Sequence, residues 1–158
     1  MQIQSQELVS AAGRELLLEL LQKHGQSRLR VTGGSMMPAI LPGDVVHLRI
    51  VSSQKEEIRV GDVVLFARDG RFFLHRVVGI RRDEQDRSLL ITQGDALAAS
   101  DAPIAAQNVL ALATGIERNG GAIPIPPQSY VVSSALRRVS ALAALFYVYA
   151  RLRRRLSA

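Results

Sequence analysis

Residues 65–74 constrain the fold more than any other stretch, because an Asp-Gly pair separates two apolar, β-prone runs. Both positions of a type I′ turn require a positive φ angle, and Asp69 followed by Gly70 is a preferred pair for it. The sequence therefore predicts a hairpin with a two-residue loop, which fixes the register of its strands. In that register Val64 lies opposite His75, so an ionisable ring is expected on an apolar face. That face is expected to carry the side chains of Val64, Phe66, Phe73 and Val77.

Short β-prone runs, broken by turn residues, fill the middle of the chain. The runs are 28–32, 44–51, 62–68, 71–81, 88–93, 109–117 and 121–125. Strands of this length that are joined by short turns are typical of an antiparallel sheet. The sequence therefore predicts a mainly β fold.

An amphipathic helix is predicted on each side of the sheet. Residues 5–24 carry apolar side chains at helical spacing, with Ser5 as the N-cap and Gly25 just past the C-terminus. Residues 133–156 show the same spacing, with arginines at both ends. We divide the chain into an N-terminal amphipathic helix (1–27), a β domain (28–127) and a basic C-terminal helix (128–158).

All of the excess positive charge lies at the C-terminal end. The formal net charge is +6, and residues 128–158 contain six arginines and no acidic side chain. The remaining residues carry 14 basic and 14 acidic side chains and are neutral as a group. A nucleic-acid-binding domain usually spreads basic charge over one face of its fold, so no nucleic-acid partner is expected. We expect residues 133–158 to contact an anionic membrane surface, a protein partner or the β domain itself.

The absence of cysteine excludes disulfides, thiolate catalysis and cysteine-ligated zinc. The first residues lack the basic and apolar regions of a signal peptide, and no uncharged apolar run reaches the ~18 residues needed to cross a bilayer. We therefore expect a cytoplasmic or peripherally membrane-associated protein. No residue pattern indicates a metal or another cofactor.

Ser35 follows two glycines at the end of the first predicted strand. Glycine allows backbone conformations that other residues avoid, and it lets a partner approach closely. Such a turn could expose the Ser35 hydroxyl and direct its own N–H toward an oxyanion. Gly33, Gly34, Ser35 and Met36 are then the candidate oxyanion- and substrate-binding residues. The alternative is an ordinary glycine turn in which the serine caps a backbone group.

A serine hydroxyl is a weak nucleophile and needs a base to accept its proton. A lysine can serve only where burial lowers its pKa, and neither Lys23 at a helix end nor Lys55 in a polar stretch predicts such burial. His75 is the better candidate, although a sheet histidine is often only structural. His24 is expected to contact helix carbonyls, and His47 to be a hydrogen-bonded histidine of the sheet.

Asp95 and Asp101 are candidates for a third member beside Ser35 and His75. A carboxylate that accepts a hydrogen bond from the ring sets its tautomer and stabilises the imidazolium. Both aspartates follow the predicted strand 88–93, and either could instead cap a turn beside Gly or Pro. The residues alone leave this choice open. If Ser35 and His75 meet in the fold, the chain is a serine peptidase.

Five ordered sequence blocks resemble the type I signal peptidase superfamily, which is related to the SOS-repressor autoproteases. The blocks are Gly34-Ser35-Met36-Met37-Pro38, Leu41-Pro42-Gly43-Asp44-Val45-Val46, Val60-Gly61-Asp62-Val63-Val64-Leu65-Phe66, Leu74-His75-Arg76-Val77-Val78-Gly79 and Thr92-Gln93-Gly94-Asp95 with Asp101. Bacterial housekeeping members carry lysine at the position of His75. Histidine there is similar to the archaeal and endoplasmic-reticulum subgroup.

The resemblance implies a coiled, mostly antiparallel β fold and a serine peptidase site. It implies Ser35 as the nucleophile, His75 as the base and Asp101 as the supporting acid. Asp95 is implied to lie nearby. Members usually carry an N-terminal transmembrane anchor, whereas this sequence has a charged helix at that place.

Three functions stay open. The first, which we favour, is a serine endopeptidase that resembles signal peptidase I and cleaves a leader or precursor peptide. The second is a self-cleaving regulator of the SOS type, cut at Ala12-Gly13, although the predicted helix and the missing lysine base count against it. The third is a non-catalytic binding module on the same fold, with the basic helix as its working part.

Overall fold

The computed structural model describes residues 11–51 and 58–127, and the structural statements below refer to these residues. Their elements are α1 (Ala11–His24), β1 (Gln26–Arg30), β2 (Val45–Ile50), β3 (Val63–Arg68), β4 (Arg71–Arg82), β5 (Ser88–Gln93), β6 (Ile104–Ala105), a 3₁₀ helix (Ala106–Asn108), β7 (Val109–Arg118) and β8 (Gly121–Ile123). The predicted mainly β fold with an N-terminal helix is confirmed. The predicted Ser5 cap and the predicted C-terminal helix lie outside the described residues.

Helix α1 ends where the sequence predicts, with Gly25 just past its last residue. This glycine has a φ of 70°, and its N–H donates to the carbonyl of Leu21 at 2.9 Å. Leu17 and Leu21 bury one side of the helix in the core. Strand β1 follows at once, two residues before the predicted start, because Gln26 already pairs with Arg49 of β2. Within the described residues, no helix is long and apolar enough to cross a membrane.

The strands form one antiparallel sheet. Its order is β1-β2-β7-β3-β4-β5-β6, and β8 pairs with β7. The register skips Thr114 of β7 opposite β2, Leu110 of β7 opposite β3, and Val78 of β4 opposite β5. Such bulges bend the strand that carries them and increase its local twist.

The β3–β4 hairpin has the predicted register. Asp69 and Gly70 have φ angles of 51° and 71°, as a type I′ turn requires. Val64 pairs with His75, and Phe66 pairs with Phe73. The histidine is therefore on the face of the sheet that the hairpin sequence predicts.

Two apolar clusters pack on the sheet, and neighbouring residues of β3 enter different ones. Leu65 belongs to the cluster that contains α1, and Val64 belongs to the other. Because successive side chains of a strand point to opposite faces, the clusters cover opposite faces of β3. Met36, from the turn that follows Ser35, is buried in the helix-side cluster.

The sequence analysis missed β6 and the 3₁₀ helix. Strand β6 has only two residues, with Ile104 paired to Leu90 of β5, which is too short for a periodic pattern. It nevertheless returns the chain to the sheet after the loop 94–103. That loop carries both candidate aspartates.

Candidate active site

Ser35 begins a tight turn that the core anchors. The N–H of Met37 donates to the carbonyl of Gly34 at 3.1 Å, and the N–H of Ile40 donates to the carbonyl of Met36 at 2.9 Å. The side chains of Met36 and Ile40 are buried in the helix-side cluster. Ser35 itself is half-buried. The turn that carries it is therefore held by two backbone hydrogen bonds and by two buried side chains.

His75 lies on β4 with its ring enclosed. The residue is 1% exposed, and its ring makes edge contacts with Phe66 and Phe73 at centroid distances of 6.1 and 5.8 Å. Its Nε2 atom lies 3.2 Å from Oγ of Ser35. The structure therefore brings together the two side chains on which the peptidase hypothesis depends, within hydrogen-bond reach.

Asp101 lies on the other side of the same ring. Its Oδ2 atom is 2.7 Å from Nδ1 of His75, and the hydroxyl of Thr92 donates to the same oxygen at 2.7 Å. Burial alone raises the pKa of the Asp101 carboxyl, but the hydrogen bond and charge of His75, the Thr92 hydroxyl and the Arg68 charge hold it below its ordinary value. Asp101 is therefore a carboxylate near neutral pH.

The ionised Asp101 decides the tautomer of His75. A carboxylate only accepts hydrogen bonds, so Nδ1 of the ring must carry the proton and donate it. In the neutral ring, Nε2 then keeps its lone pair and faces the Ser35 hydroxyl. This arrangement can accept the hydroxyl proton.

Asp95 has a different partner. Its two carboxylate oxygens accept hydrogen bonds from Nε and Nη2 of Arg76 at 2.9 and 2.8 Å. Arg76 also donates to the carbonyls of Gly61 at 2.8 Å and Pro126 at 3.0 Å. The structure places Asp101, and not Asp95, on His75. The sequence analysis did not single out Arg76, although a buried arginine beside His75 in β4 would need a carboxylate partner.

The loop after β5 also holds the backbone of Ser35, which the sequence analysis missed. The N–H of Ala96 donates to the Ser35 carbonyl at 2.8 Å. A Cβ atom at Gly94 would lie 2.7 Å from that carbonyl oxygen, so only glycine allows this approach. The Gly94-Asp95 pair indicates a turn in the sequence, but it does not indicate that the turn contacts the backbone of Ser35.

The candidate oxyanion residues form the entrance and start of the serine turn. Gly33 is buried and Gly34 is half-buried. Met36 is 2% exposed with its side chain in the core, so only its backbone is available to a substrate. In the described part of the chain, the backbone–backbone hydrogen bonds of this turn leave the N–H groups of Ser35 and Met36 unused.

Of the other basic candidates, those within the described residues belong to α1 and β2. Lys23 and His24 form the last turn of α1, and Lys55 lies outside the described residues. His47 was expected to be hydrogen-bonded, but its Nε2 has no such partner within the described residues and lies 3.8 Å from Oε2 of Glu117. Within residues 11–51 and 58–127, no group of three or more His, Asp or Glu side chains is placed to hold a metal ion.

Three known proteins are similar to part of this chain, and the names of all three describe signal peptidases. The chain is 40% identical over 73 residues to the signal peptidase complex catalytic subunit SEC11 of Eremothecium gossypii, covering 45% of this chain and 42% of that protein. It is 35% identical over 95 residues to signal peptidase I W of Bacillus subtilis, covering 59% and 49%. It is 36% identical over 76 residues to SEC11 of Zygosaccharomyces rouxii, covering 47% and 44%.

The aligned part thus spans about half or less of each of these relatives. No solved structure matches the chain. The model of the family described as "Peptidase S24-like" matches residues 7–109, which is more than half of the chain. The predicted membership of the type I signal peptidase superfamily is confirmed, and the chain belongs to the peptidase S24-like family.

Proposed function

We propose that this protein is a serine endopeptidase that cleaves a leader or precursor peptide through Ser35, His75 and Asp101. One observation carries the proposal. A continuous path of two hydrogen-bond distances, 3.2 Å from Ser35 Oγ to His75 Nε2 and 2.7 Å from His75 Nδ1 to Asp101 Oδ2, joins a hydroxyl, an imidazole and a carboxylate. This is the arrangement that activates a serine nucleophile in unrelated folds.

The reaction follows from the positions of the protons. Nε2 of His75 accepts the hydroxyl proton as Oγ of Ser35 bonds to the scissile carbonyl carbon. The imidazolium then gives the proton to the leaving amine, the C–N bond breaks and an acyl-enzyme is left. Water, with His75 as its base, then attacks the acyl carbon, and the bond to Oγ of Ser35 breaks as this oxygen takes the proton back. Asp101 stays ionised throughout and stabilises the charged ring.

The oxyanion of the tetrahedral intermediate needs hydrogen-bond donors. The N–H groups of Ser35 and Met36 are the candidates, since the turn does not use them in backbone–backbone bonds. A single donor of this kind contributes about 2.7–4 kcal/mol to stabilisation of the transition state. Gly33 and Gly34 themselves add no side chain beside these N–H groups.

The relatives named signal peptidase suggest the substrate class. We propose a peptide or protein precursor with small side chains flanking the scissile bond, as the family resemblance implies. The partner of residues 133–158, which lie outside the described residues, stays a prediction: an anionic membrane surface or a protein. A peripheral membrane location is part of the same proposal.

The test compares four proteins on a mixture of synthetic precursor peptides, with the cleavage products identified by mass spectrometry. Wild type should cut peptides with small residues beside the scissile bond. Ser35→Ala and His75→Ala should abolish cutting, whereas His47→Ala, which removes another sheet histidine, should retain it. Cutting by Ser35→Ala and His75→Ala at the wild-type rate would contradict the mechanism.

The self-cleavage alternative has a separate test. Ala12 and Gly13 lie within the first turn of α1, so cutting between them requires that the helix unwinds. The intact mass of the purified chain after long incubation at raised pH should therefore stay unchanged. A fragment that begins at Gly13 would support the self-cleaving regulator instead.

A further inference from the structure

Thr92 holds Asp101 by two separate contacts. Thr92 is 0% exposed and lies near the end of β5. Its hydroxyl donates to Oδ2 of Asp101 at 2.7 Å, and its carbonyl accepts the N–H of Asp101 at 2.7 Å. The loop residue that contacts the His75 ring is thus fixed, in backbone and in side chain, by one residue of the sheet.

The sheet places Thr92 where it can act on the site. Thr92 pairs with Val77 of β4, and Val77 is two residues from His75, so both residues of β4 share a face. Thr92 and His75 therefore approach Asp101 from adjacent strands. Their donors meet on the same carboxylate oxygen, Oδ2.

A second donor on that oxygen restricts the carboxylate. The terminal torsion of an aspartate is broad, so one hydrogen bond from the ring leaves the group free to rotate. Two donors that converge on Oδ2 remove this freedom and keep the oxygen on Nδ1 of the ring. Arg68 supplies a positive charge near Asp101, and its guanidinium donates to the adjacent Ala102 carbonyl.

We propose that Thr92 is a positioning residue of the site, because its hydroxyl holds the carboxylate of Asp101 in hydrogen-bond contact with the His75 ring. Its catalytic consequence depends on the proposed peptidase function, whereas the contact itself does not. The methyl group of Thr92 can make no hydrogen bond. Hydroxyl and methyl can therefore be separated by substitution.

The experiment uses the full chain and two matched pairs. Thr92→Val removes the hydroxyl and keeps the branched shape of wild type. Thr92→Ala differs from Thr92→Ser in the hydroxyl alone, so this pair gives the answer if the valine variant does not fold. Thr114→Val is the control, because Thr114 is a strand threonine whose hydroxyl donates to the His47 carbonyl at 3.3 Å.

The first measurement is the low-field NMR signal of the Nδ1 proton of His75, which requires no catalysis. Wild type, Thr92→Ser and Thr114→Val should show this signal, and His75→Ala identifies it. In Thr92→Val and Thr92→Ala it should move upfield or disappear through exchange with water. The titration midpoint of the Asp101 carboxyl should rise in the same two variants, since a hydrogen bond to the charged form is lost.

The second measurement is the rate at which a serine-directed fluorophosphonate labels Ser35. Loss of the hydroxyl should slow labelling on the order of ten- to hundredfold, the scale of a misplaced catalytic group. Thr92→Ser should label at nearly the wild-type rate.

The two measurements separate this proposal from the proposed function. If wild type shows the proton signal but no labelling of Ser35, the peptidase proposal fails and the positioning contact stands. An unchanged proton signal in folded Thr92→Val or Thr92→Ala overturns the positioning role, whatever the labelling rate. Equal loss of the signal in Thr92→Ser and Thr92→Ala also overturns it, because packing would then be the cause.

Discussion

His75 and Arg76 are neighbours on β4, yet each contacts a different aspartate of the same loop. His75 bonds Asp101 on the face that carries Ser35. Arg76 forms a two-bond ion pair with Asp95, and both side chains are almost fully buried. One strand thus carries a group that can exchange a proton beside a group that cannot.

This difference separates chemistry from support. An arginine stays charged at any pH that a protein experiences, so the Arg76–Asp95 pair can only bind and orient. The pair joins β4 to the loop that also holds the Ser35 carbonyl through Ala96. We infer that the His75–Asp101 contact supports the proposed reaction, whereas the Arg76–Asp95 pair stabilises the loop.

The largest expected effect is on activity, from Asp101→Asn. The amide can present an N–H to the ring and reverse its tautomer, which removes the base. Labelling or peptide cutting should fall by about 10⁴-fold, as in other Ser-His-Asp sites, with little change in the urea midpoint. A variant that labels within tenfold of wild type would show that Asp101 is not the supporting acid.

Asp95→Asn should give the opposite pattern. It leaves Arg76 buried without its charge partner, which typically costs about 3–5 kcal/mol of unfolding free energy. Urea unfolding measures this loss, and labelling of the remaining folded protein should fall much less than in Asp101→Asn. The double change Arg76→Met with Asp95→Leu should recover part of the stability. No recovery would mean that the fold also needs the hydrogen bonds from Arg76 to the carbonyls of Gly61 and Pro126.

Gly94→Ala tests the link between the two sides. The added methyl would lie 2.7 Å from the Ser35 carbonyl oxygen and 3.0 Å from the Leu97 side chain, so the serine turn must move. Labelling should fall on the order of a hundredfold. Gly79→Ala is the matched control, since its methyl would meet Ile91 at 3.4 Å. Similar losses in both variants would contradict a specific effect on Ser35.

The smallest effect is a dependence of stability on pH. The pKa of Asp101 is lower in the folded chain than its ordinary value. The ionised carboxylate therefore contributes fully to the free energy of unfolding at pH values above the ordinary pKa. This contribution is lost as the pH falls through the pKa of the folded state. Unfolding free energies measured across the acid range should fall less steeply for Asp101→Asn than for wild type.

Asp83 requires a control in that experiment. The backbone hydrogen bond from Arg87 lowers its pKa as well, at an exposed turn. The comparison should therefore be repeated in an Asp83→Asn background. A slope that changes only with Asp83 would remove the assignment to Asp101.

Local chemistry made parts of this fold predictable. The Asp69-Gly70 pair determines its own turn, so the hairpin register and the apolar setting of His75 follow from a few residues. Gly25 marks the end of α1 for the same reason. The β6 strand was missed because two residues carry no periodicity.

The assembly of the site was harder to predict. Strand β7 inserts between β2 and β3, so the positions of distant segments depend on the whole sheet and not on local pattern. The choice between Asp95 and Asp101 depends on the path of one loop. The family resemblance pointed to Asp101, whereas residue types alone left both open.

Main-chain atoms fix the Ser35 carbonyl: Ala96 donates its N–H to the oxygen, and Gly94 has no Cβ that would collide with it. These two neighbours should therefore tolerate sequence change very differently. At position 96 the contact needs only a backbone N–H, which every residue except proline supplies. Position 94 offers no such freedom to protein engineers.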